Sequence, residues 1–101
     1  MKIDFLAPAE AEFVDAVVYY NMQSEGLGFE FAAEIKRTIE RIIQYPEAWP
    51  RLSKRTRCCR TNRFPYGVIY QLREEKLLVI GVMHLGRDPQ IWKSRLTKKE
   101  I

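Results

Sequence analysis

The order of apolar and polar positions predicts how the chain begins. Residues 2–6, Lys-Ile-Asp-Phe-Leu, alternate before the last position, which is typical of a half-buried strand. Pro8 then opens a helix, since proline is tolerated at a first helical position and acidic residues follow it. Gly26 and Gly28 end this helix. Its apolar face, at helical spacing, consists of Phe13, Val14, Val17 and Val18.

A second amphipathic helix follows the glycine link and runs until Pro46. Cations lie toward its C-terminal end, where the helix dipole favours them. Because the link is short, we expect the two helices to form an antiparallel hairpin. The apolar stripe of the second helix is formed by Phe31, Ile35, Ile39 and Ile42.

After Pro46 the helical period disappears and strand patterns begin. Residues 45–54 contain two prolines and no repeat, which predicts a surface loop. Strands are predicted over 56–64, 66–73 and 76–85, the last two joined by a charged turn, and 88–92 indicates a short final helical turn. The whole pattern predicts one α+β domain over residues 1–101, of order β-α-α-β-β-β. The helix hairpin would pack on one face of a small, mostly antiparallel sheet and leave the other face free.

Length and composition limit the class of protein. With 101 residues there is room for one domain, and 47% hydrophobic residues argue against disorder. No apolar run approaches the roughly 18 residues of a membrane span, and Asp4 stands where a signal peptide needs apolar residues. We therefore expect a cytoplasmic protein that does not bind membranes. A single histidine and the adjacent Cys58 and Cys59 predict neither a metal site nor another cofactor, with one thiol in the core and one at the surface.

The formal charge of +4 conceals a division at the midpoint. Residues 1–50 carry four basic and nine acidic side chains, whereas residues 51–101 carry thirteen and four. A basic half of this size is a candidate footprint for a nucleic acid or an acidic protein, although many charge runs are only solvated surface. Six of its cations fall within thirteen residues: Arg51, Lys54, Arg55, Arg57, Arg60 and Arg63.

His84 and Arg87 form the candidate catalytic pair. An imidazole can exchange a proton near neutral pH, and a guanidinium beside it can stabilise the charge that develops on an attacked phosphate. A lone histidine at a strand end is also commonly a structural hydrogen-bonding group, and both roles stay open.

A second set of side chains could bind a target, because aromatic rings beside guanidinium groups are what single-stranded RNA readers use. Tyr70 shares one strand face with Tyr66 and Val68, which also places it in a core. The candidate binding residues are Arg57, Arg60, Arg63, Tyr70, Trp92 and Arg95.

Residues 63–70, RFPYGVIY, and 79–92, VIGVMHLGRDPQIW, resemble the RelE/ParE family of type II toxins, in the branch often called plasmid stabilisation proteins. Earlier pieces stand in the same order, among them Tyr19-Tyr20 and Tyr45-Pro46, so the resemblance covers nearly the whole chain. It implies a growth-inhibiting toxin held inactive by an antitoxin encoded beside it. The basic half suggests that this cognate antitoxin is acidic.

The resemblance also implies two mechanistic groups. RelE-like members cleave mRNA on the ribosome, and ParE-like members poison DNA gyrase. Gly67 stands where many members carry arginine, and no late tyrosine follows Arg87. We therefore expect a non-enzymatic inhibitor of gyrase or an equivalent essential machine. A ribosome-dependent endoribonuclease and an inactive antitoxin-binding homologue are the alternatives. The positions that match family functional sites are Arg60, Arg63, His84, Arg87, Trp92 and Arg95.

Overall fold

The computed structural model describes residues 1–88 and 90–101, and its elements follow the predicted order. Pro89, which belongs to the predicted final turn, lies outside the described residues. The elements are strand β1 (Lys2–Phe5), helices α1 (Ala7–Gln23) and α2 (Leu27–Gln44), strands β2 (Arg57–Arg60), β3 (Tyr66–Arg73) and β4 (Lys76–His84), and a C-terminal 3₁₀ turn (Ile91–Arg95).

The four strands form one mixed sheet in the order β1-β4-β3-β2. Only the β1–β4 pair is parallel, and the other two pairs are antiparallel. The helix hairpin packs on one face, so the predicted α+β arrangement is confirmed. Strand β2 is shorter than the predicted 56–64. The chain turns after Arg60. There the N–H of Thr61 donates to the carbonyl of Tyr66, and the hydroxyl of Thr61 donates to the carbonyl of Phe64.

The helix-side core is built by the stripe of α2. Phe31 is fully buried and meets the rings of Phe64 and Tyr66 edge to face, at centroid distances of 5.2 and 4.9 Å. The hairpin link needs its glycines. Gly26 has a φ of 85°, and a Cβ on Gly28 would lie 2.1 Å from the carbonyl oxygen of Val17. The two helices therefore approach more closely than a side chain would permit.

The second face of the sheet is not free, which corrects the expectation from the sequence. Ile69, Leu78, Ile80 and Met83 point to this side, and Trp92, only 1% exposed, packs on them. The reason is the apolar run of β4, which presents hydrophobic side chains to both faces and must bury both. Residues 91–101 supply the cover, which we call the C-terminal cover.

Polar contacts fasten the end of the C-terminal cover to the sheet and to the loop before β2. The buried amide of Gln71 donates to the carbonyl of Glu100 and, at 2.9 Å, to the hydroxyl of Thr56. The hydroxyl of Ser53 donates to the carbonyl of Ile101 at 2.6 Å. The cover is therefore a packed layer of the fold, and only part of the second face stays open.

Replacing Trp92 by alanine tests this packing. We expect Trp92→Ala to lower the free energy of unfolding by about 3–5 kcal/mol, because the largest buried side chain of the cover is lost. Ser94→Ala, on an exposed position of the same turn, should stay within about 0.5 kcal/mol. Urea denaturation of both variants measures the difference. A Trp92→Ala loss no larger than that of Ser94→Ala would contradict the packed cover.

Candidate functional site

A groove remains open on the second face, between the C-terminal cover and the loop before β2. Its volume is about 560 Å³. Buried apolar side chains form its floor, and the exposed Leu52 and Leu85 stand at its rim. Three polar or charged side chains at its mouth, Arg60, His84 and Arg87, belong to the predicted site residues. The floor is lined by Cys58, Ile69, Met83 and Trp92.

Gly67 is the residue that leaves this space. It is buried on β3, and a Cβ there would lie 2.7 Å from the Sγ of Cys58 and 3.3 Å from a methyl carbon of Leu85. The resemblance implies that many members carry arginine at this position. Here Cys58 and Leu85 lie beside the glycine, and the remaining space belongs to the groove. Burial raises the pKa of the Cys58 thiol to about 11, so this wall of the groove is neutral and weakly polar. Cys59 points instead into the helix-side core.

Arg60 and Arg87 give the mouth of the groove its charge. Both are exposed. Across residues 1–88 and 90–101, no carboxylate approaches the guanidinium of Arg60 within 4.0 Å, and that of Arg87 has one at 3.6 Å, on Glu12. The guanidinium of Arg41 donates to the carbonyl of Arg60 at 2.9 Å and fixes the backbone there. The mouth thus offers two largely uncompensated positive charges.

His84 lines the groove together with the two arginines, and one of its ring nitrogens is engaged. Its Nδ1 accepts the N–H of Gly86 at 2.9 Å, and the ring meets Tyr66 edge to face at 5.3 Å. In the neutral ring the proton is then on Nε2, which donates and has no lone pair to accept a proton. Action as a general base would require the bond to Gly86 to break.

Two predicted binding residues on the sheet have structural contacts. Tyr70 is 1% exposed, and its hydroxyl donates to the carbonyl of Pro46 at 2.7 Å. Burial raises the pKa of this phenol well above its ordinary value, so it is neutral. Arg57 donates to the carbonyl of Trp49 at 2.8 Å. Both side chains hold the loop before β2 against the sheet.

The other predicted residues also lie away from the groove mouth. Arg63 forms an ion pair with Glu30 at 2.6 Å and lies over the ring of Phe64. Trp92 is buried beneath the groove. Of the predicted set, the structure therefore brings only Arg60, His84 and Arg87 together at an open surface.

Arg95, predicted to bind a target, is held by an acid that the sequence analysis did not single out. Its two terminal nitrogens donate to both oxygens of Glu12 at 2.7 and 2.8 Å, and it also donates to the carbonyl of Ile80 at 2.9 Å. Glu12 accepts in addition the N–H of Val82 at 3.1 Å. This pair closes the edge of β4 that β1 is too short to cover, and it anchors the C-terminal cover to α1.

Glu34 is a second organising acid. It is 3% exposed on the buried face of α2, and one of its oxygens accepts the backbone N–H groups of Asn62 and Arg63 at 2.5 and 3.1 Å. Its other oxygen accepts from Arg37 at 3.1 Å. Burial acts to raise the pKa of this carboxyl, but these donors outweigh it and hold the pKa below the ordinary value of 4.5. The carboxylate thereby fixes the turn that follows Arg60.

The outer side of α1 carries a separate apolar surface. Val14, Val18 and Met22 follow one another at four-residue spacing and are 50%, 52% and 80% exposed. Adjoining exposed apolar side chains of this kind form a candidate interaction surface. We call these three residues the α1 stripe.

Within residues 1–88 and 90–101, no helix is both long and apolar enough to span a membrane. The same described residues contain no cluster of three metal-ligating side chains.

The helix hairpin covers one face of the sheet, and the C-terminal cover and the groove with its basic mouth share the other face. A family model of the ParE toxin of the type II toxin–antitoxin system parDE matches residues 3–89. The chain belongs to this family, and a toxin–antitoxin system implies an antitoxin partner. Trp92 and Arg95 lie beyond the matched residues.

The structure is also similar to a solved structure of the chromosomal ParDE toxin–antitoxin system from P. aeruginosa. The TM-score is 0.72, and the similarity covers 83% of this chain and 95% of that chain at 11% sequence identity. At this identity the likeness bears on the fold alone. No curated protein matches the sequence.

Replacing Glu34 by glutamine tests its part in the site. A carboxyl whose pKa is lower in the folded than in the unfolded chain stabilises the fold above its unfolded pKa, and this stabilisation is lost as the pH falls through the folded pKa. We therefore expect Glu34→Gln to be less stable than the parent at about pH 7, and the difference to shrink as the pH falls below 4.5. Urea denaturation across this range measures it. A difference that does not depend on pH would contradict the assignment.

Proposed function

We propose that this ParE toxin stops growth by binding an essential protein machine in the cytoplasm, with DNA gyrase as the foremost candidate, and without catalysing a reaction itself. The observation that carries the proposal is the state of His84. The only histidine of the chain has its Nδ1 engaged by a backbone N–H and offers a donor to the groove. A ribonuclease mechanism needs a group that accepts the proton of the attacking hydroxyl.

The two aromatic side chains that the sequence predicted to bind a target support the same proposal. Stacking of bases requires an exposed ring face, and single-strand readers depend on it. Tyr70 and Trp92 are each 1% exposed, so neither offers one. Arg60 and Arg87 remain as charges that can bind an acidic surface of a target, which requires no proton transfer.

The toxin offers two surfaces that suit the binding of an antitoxin. The α1 stripe suits the apolar face of an amphipathic helix, and the basic mouth of the groove suits acidic side chains. Such a partner gains affinity by wrapping the toxin and folding as it does so. An acidic antitoxin segment over Arg60 and Arg87 would cover the charges that the target needs, and so inhibit the toxin.

The cellular target can be tested by following the response to expression of the toxin alone. We expect DNA-damage signalling to begin while bulk translation continues, because a poisoned gyrase damages DNA before it affects ribosomes. Immediate arrest of translation with mRNA cut within codons would support the endoribonuclease instead. Full growth without the antitoxin would support an inactive homologue.

The role of the groove mouth can be tested with purified gyrase. We expect Arg60→Ala combined with Arg87→Ala to weaken inhibition of supercoiling by about tenfold or more, because both positive charges at the mouth of the groove are removed. Lys54→Ala combined with Arg55→Ala removes the same charge from exposed positions that do not line the groove, and should change inhibition by less than about threefold. An equal loss of inhibition in the two double variants would mean that inhibition depends on the net charge of the toxin and not on the groove mouth.

The electrostatic part of antitoxin binding can be tested by salt. Raising the ionic strength from about 0.1 M to about 1 M shortens the Debye length from about 10 to about 3 Å. We expect the dissociation constant for the antitoxin to rise by about tenfold or more over this range. An affinity that is insensitive to salt would contradict the acidic segment.

A further inference from the structure

We infer that the groove is an anchoring site for an apolar side chain carried by an acidic segment of the antitoxin. The inference rests on the antitoxin partnership within the proposed function, and it holds whichever cellular machine the toxin inhibits. The groove would be a second attachment point for the antitoxin, on the face of the sheet opposite the α1 stripe.

The shape and lining of the groove support an apolar occupant. Its volume of about 560 Å³ lies within the range for pockets that bury a drug-sized ligand, about 300–1,000 Å³, so it has room for a large apolar side chain and the residues beside it. The floor residues Ile69, Met83 and Trp92 are 5%, 5% and 1% exposed, so they are already packed on all other sides. Leu52 and Leu85 at the rim are 39% and 42% exposed and can close around an inserted side chain.

The charge at the mouth supports acidic residues beside that anchor. Among the described residues that line the groove none is acidic, and its two charged side chains are Arg60 and Arg87. A bound segment with an apolar residue between carboxylates would place each kind of group opposite its complement. A nucleic acid fits less well, because the floor is apolar and its tryptophan, Trp92, is only 1% exposed and offers no face for a base.

The groove is also held in shape before anything binds. Glu34 fixes the turn beside Arg60 through Asn62 and Arg63. The Glu12–Arg95 pair fixes the segment that carries Trp92. A site that is already ordered loses little conformational freedom on binding, and this favours affinity.

Titration of the full-length toxin with its full-length cognate antitoxin tests the inference. We expect Leu52→Ser combined with Leu85→Ser to weaken the affinity by about tenfold or more in calorimetry. The control pair is Ile3→Ser with Leu72→Ser, because these residues are 40% and 37% exposed and do not line the groove. It should change the affinity by less than about threefold. Thermal unfolding of both pairs verifies that they are folded.

The three methionines provide an independent measurement on the unmutated toxin. Met83 lies in the groove floor, Met22 in the α1 stripe, and Met1 lines neither. With ¹³C-labelled methionine methyl groups, we expect the Met83 signal to shift on addition of the antitoxin and that of Met1 to stay. An unchanged Met83 signal would overturn the inference.

Two further results would also overturn it. One is an equal loss of affinity in the groove pair and the control pair. The other is a groove pair that keeps its affinity for the antitoxin but no longer inhibits growth, since the groove would then serve the target. Neither result depends on whether gyrase is the target, because inhibition of gyrase by the free toxin is measured separately.

Discussion

A sheet that is apolar on both faces must be covered on both, and this constraint shapes the molecule. On β4, Leu77 and Val79 point to the helix side, while Leu78 and Ile80 point to the other. The helix hairpin covers most of the first face. The C-terminal cover, residues 91–101, packs on part of the second face. The groove is the part of this face that the C-terminal cover leaves open.

Two acids within the fold fix the walls of this groove. Removing one partner of a buried, hydrogen-bonded charge pair commonly costs about 3–5 kcal/mol, because the other charge is left without compensation. Glu12 and Arg95 cross the open edge of β4, where a β-bulge displaces Ile80 and brings Gly81 beside the arginine. A Cβ on Gly81 would lie 3.2 Å from the Nη1 of Arg95. The sheet edge and the C-terminal cover are therefore joined at one point.

The order of elements could be predicted from the sequence because the hydrophobic period changes where the elements change. The stripe of α2 and the alternation of β3 are strong local signals. The C-terminal cover was missed for the opposite reason. A short 3₁₀ turn with one tryptophan among cations has no periodicity, and it resembles an exposed basic tail. The burial of Trp92 depends on its contacts with β4, and the local sequence around Trp92 does not reveal these contacts.

The site was predicted only in part, for similar reasons. Arg60, His84 and Arg87 meet at the groove because the ends of β2 and β4 lie on either side of the start of β3. The predicted hairpin joined only β3 and β4, and the place of β2 in the sheet could not be predicted from the sequence pattern. Glu34 gave a usable signal, since a charge on the same helix face as Phe31 and Ile35 needs a buried partner. The groups that Glu34 binds could not be predicted, because the turn at Asn62 and Arg63 is about thirty residues away in sequence.

The central claim is that the second face of the sheet is a shared surface, part fixed cover and part binding groove. A crystal structure of the toxin bound to its cognate antitoxin tests it most directly. We expect residues 91–101 to stay in place on the sheet, and an apolar antitoxin side chain to lie between Leu52 and Leu85 above Met83, with a carboxylate near Arg60 or Arg87. An antitoxin that leaves the groove empty, or that displaces the C-terminal cover, would contradict it.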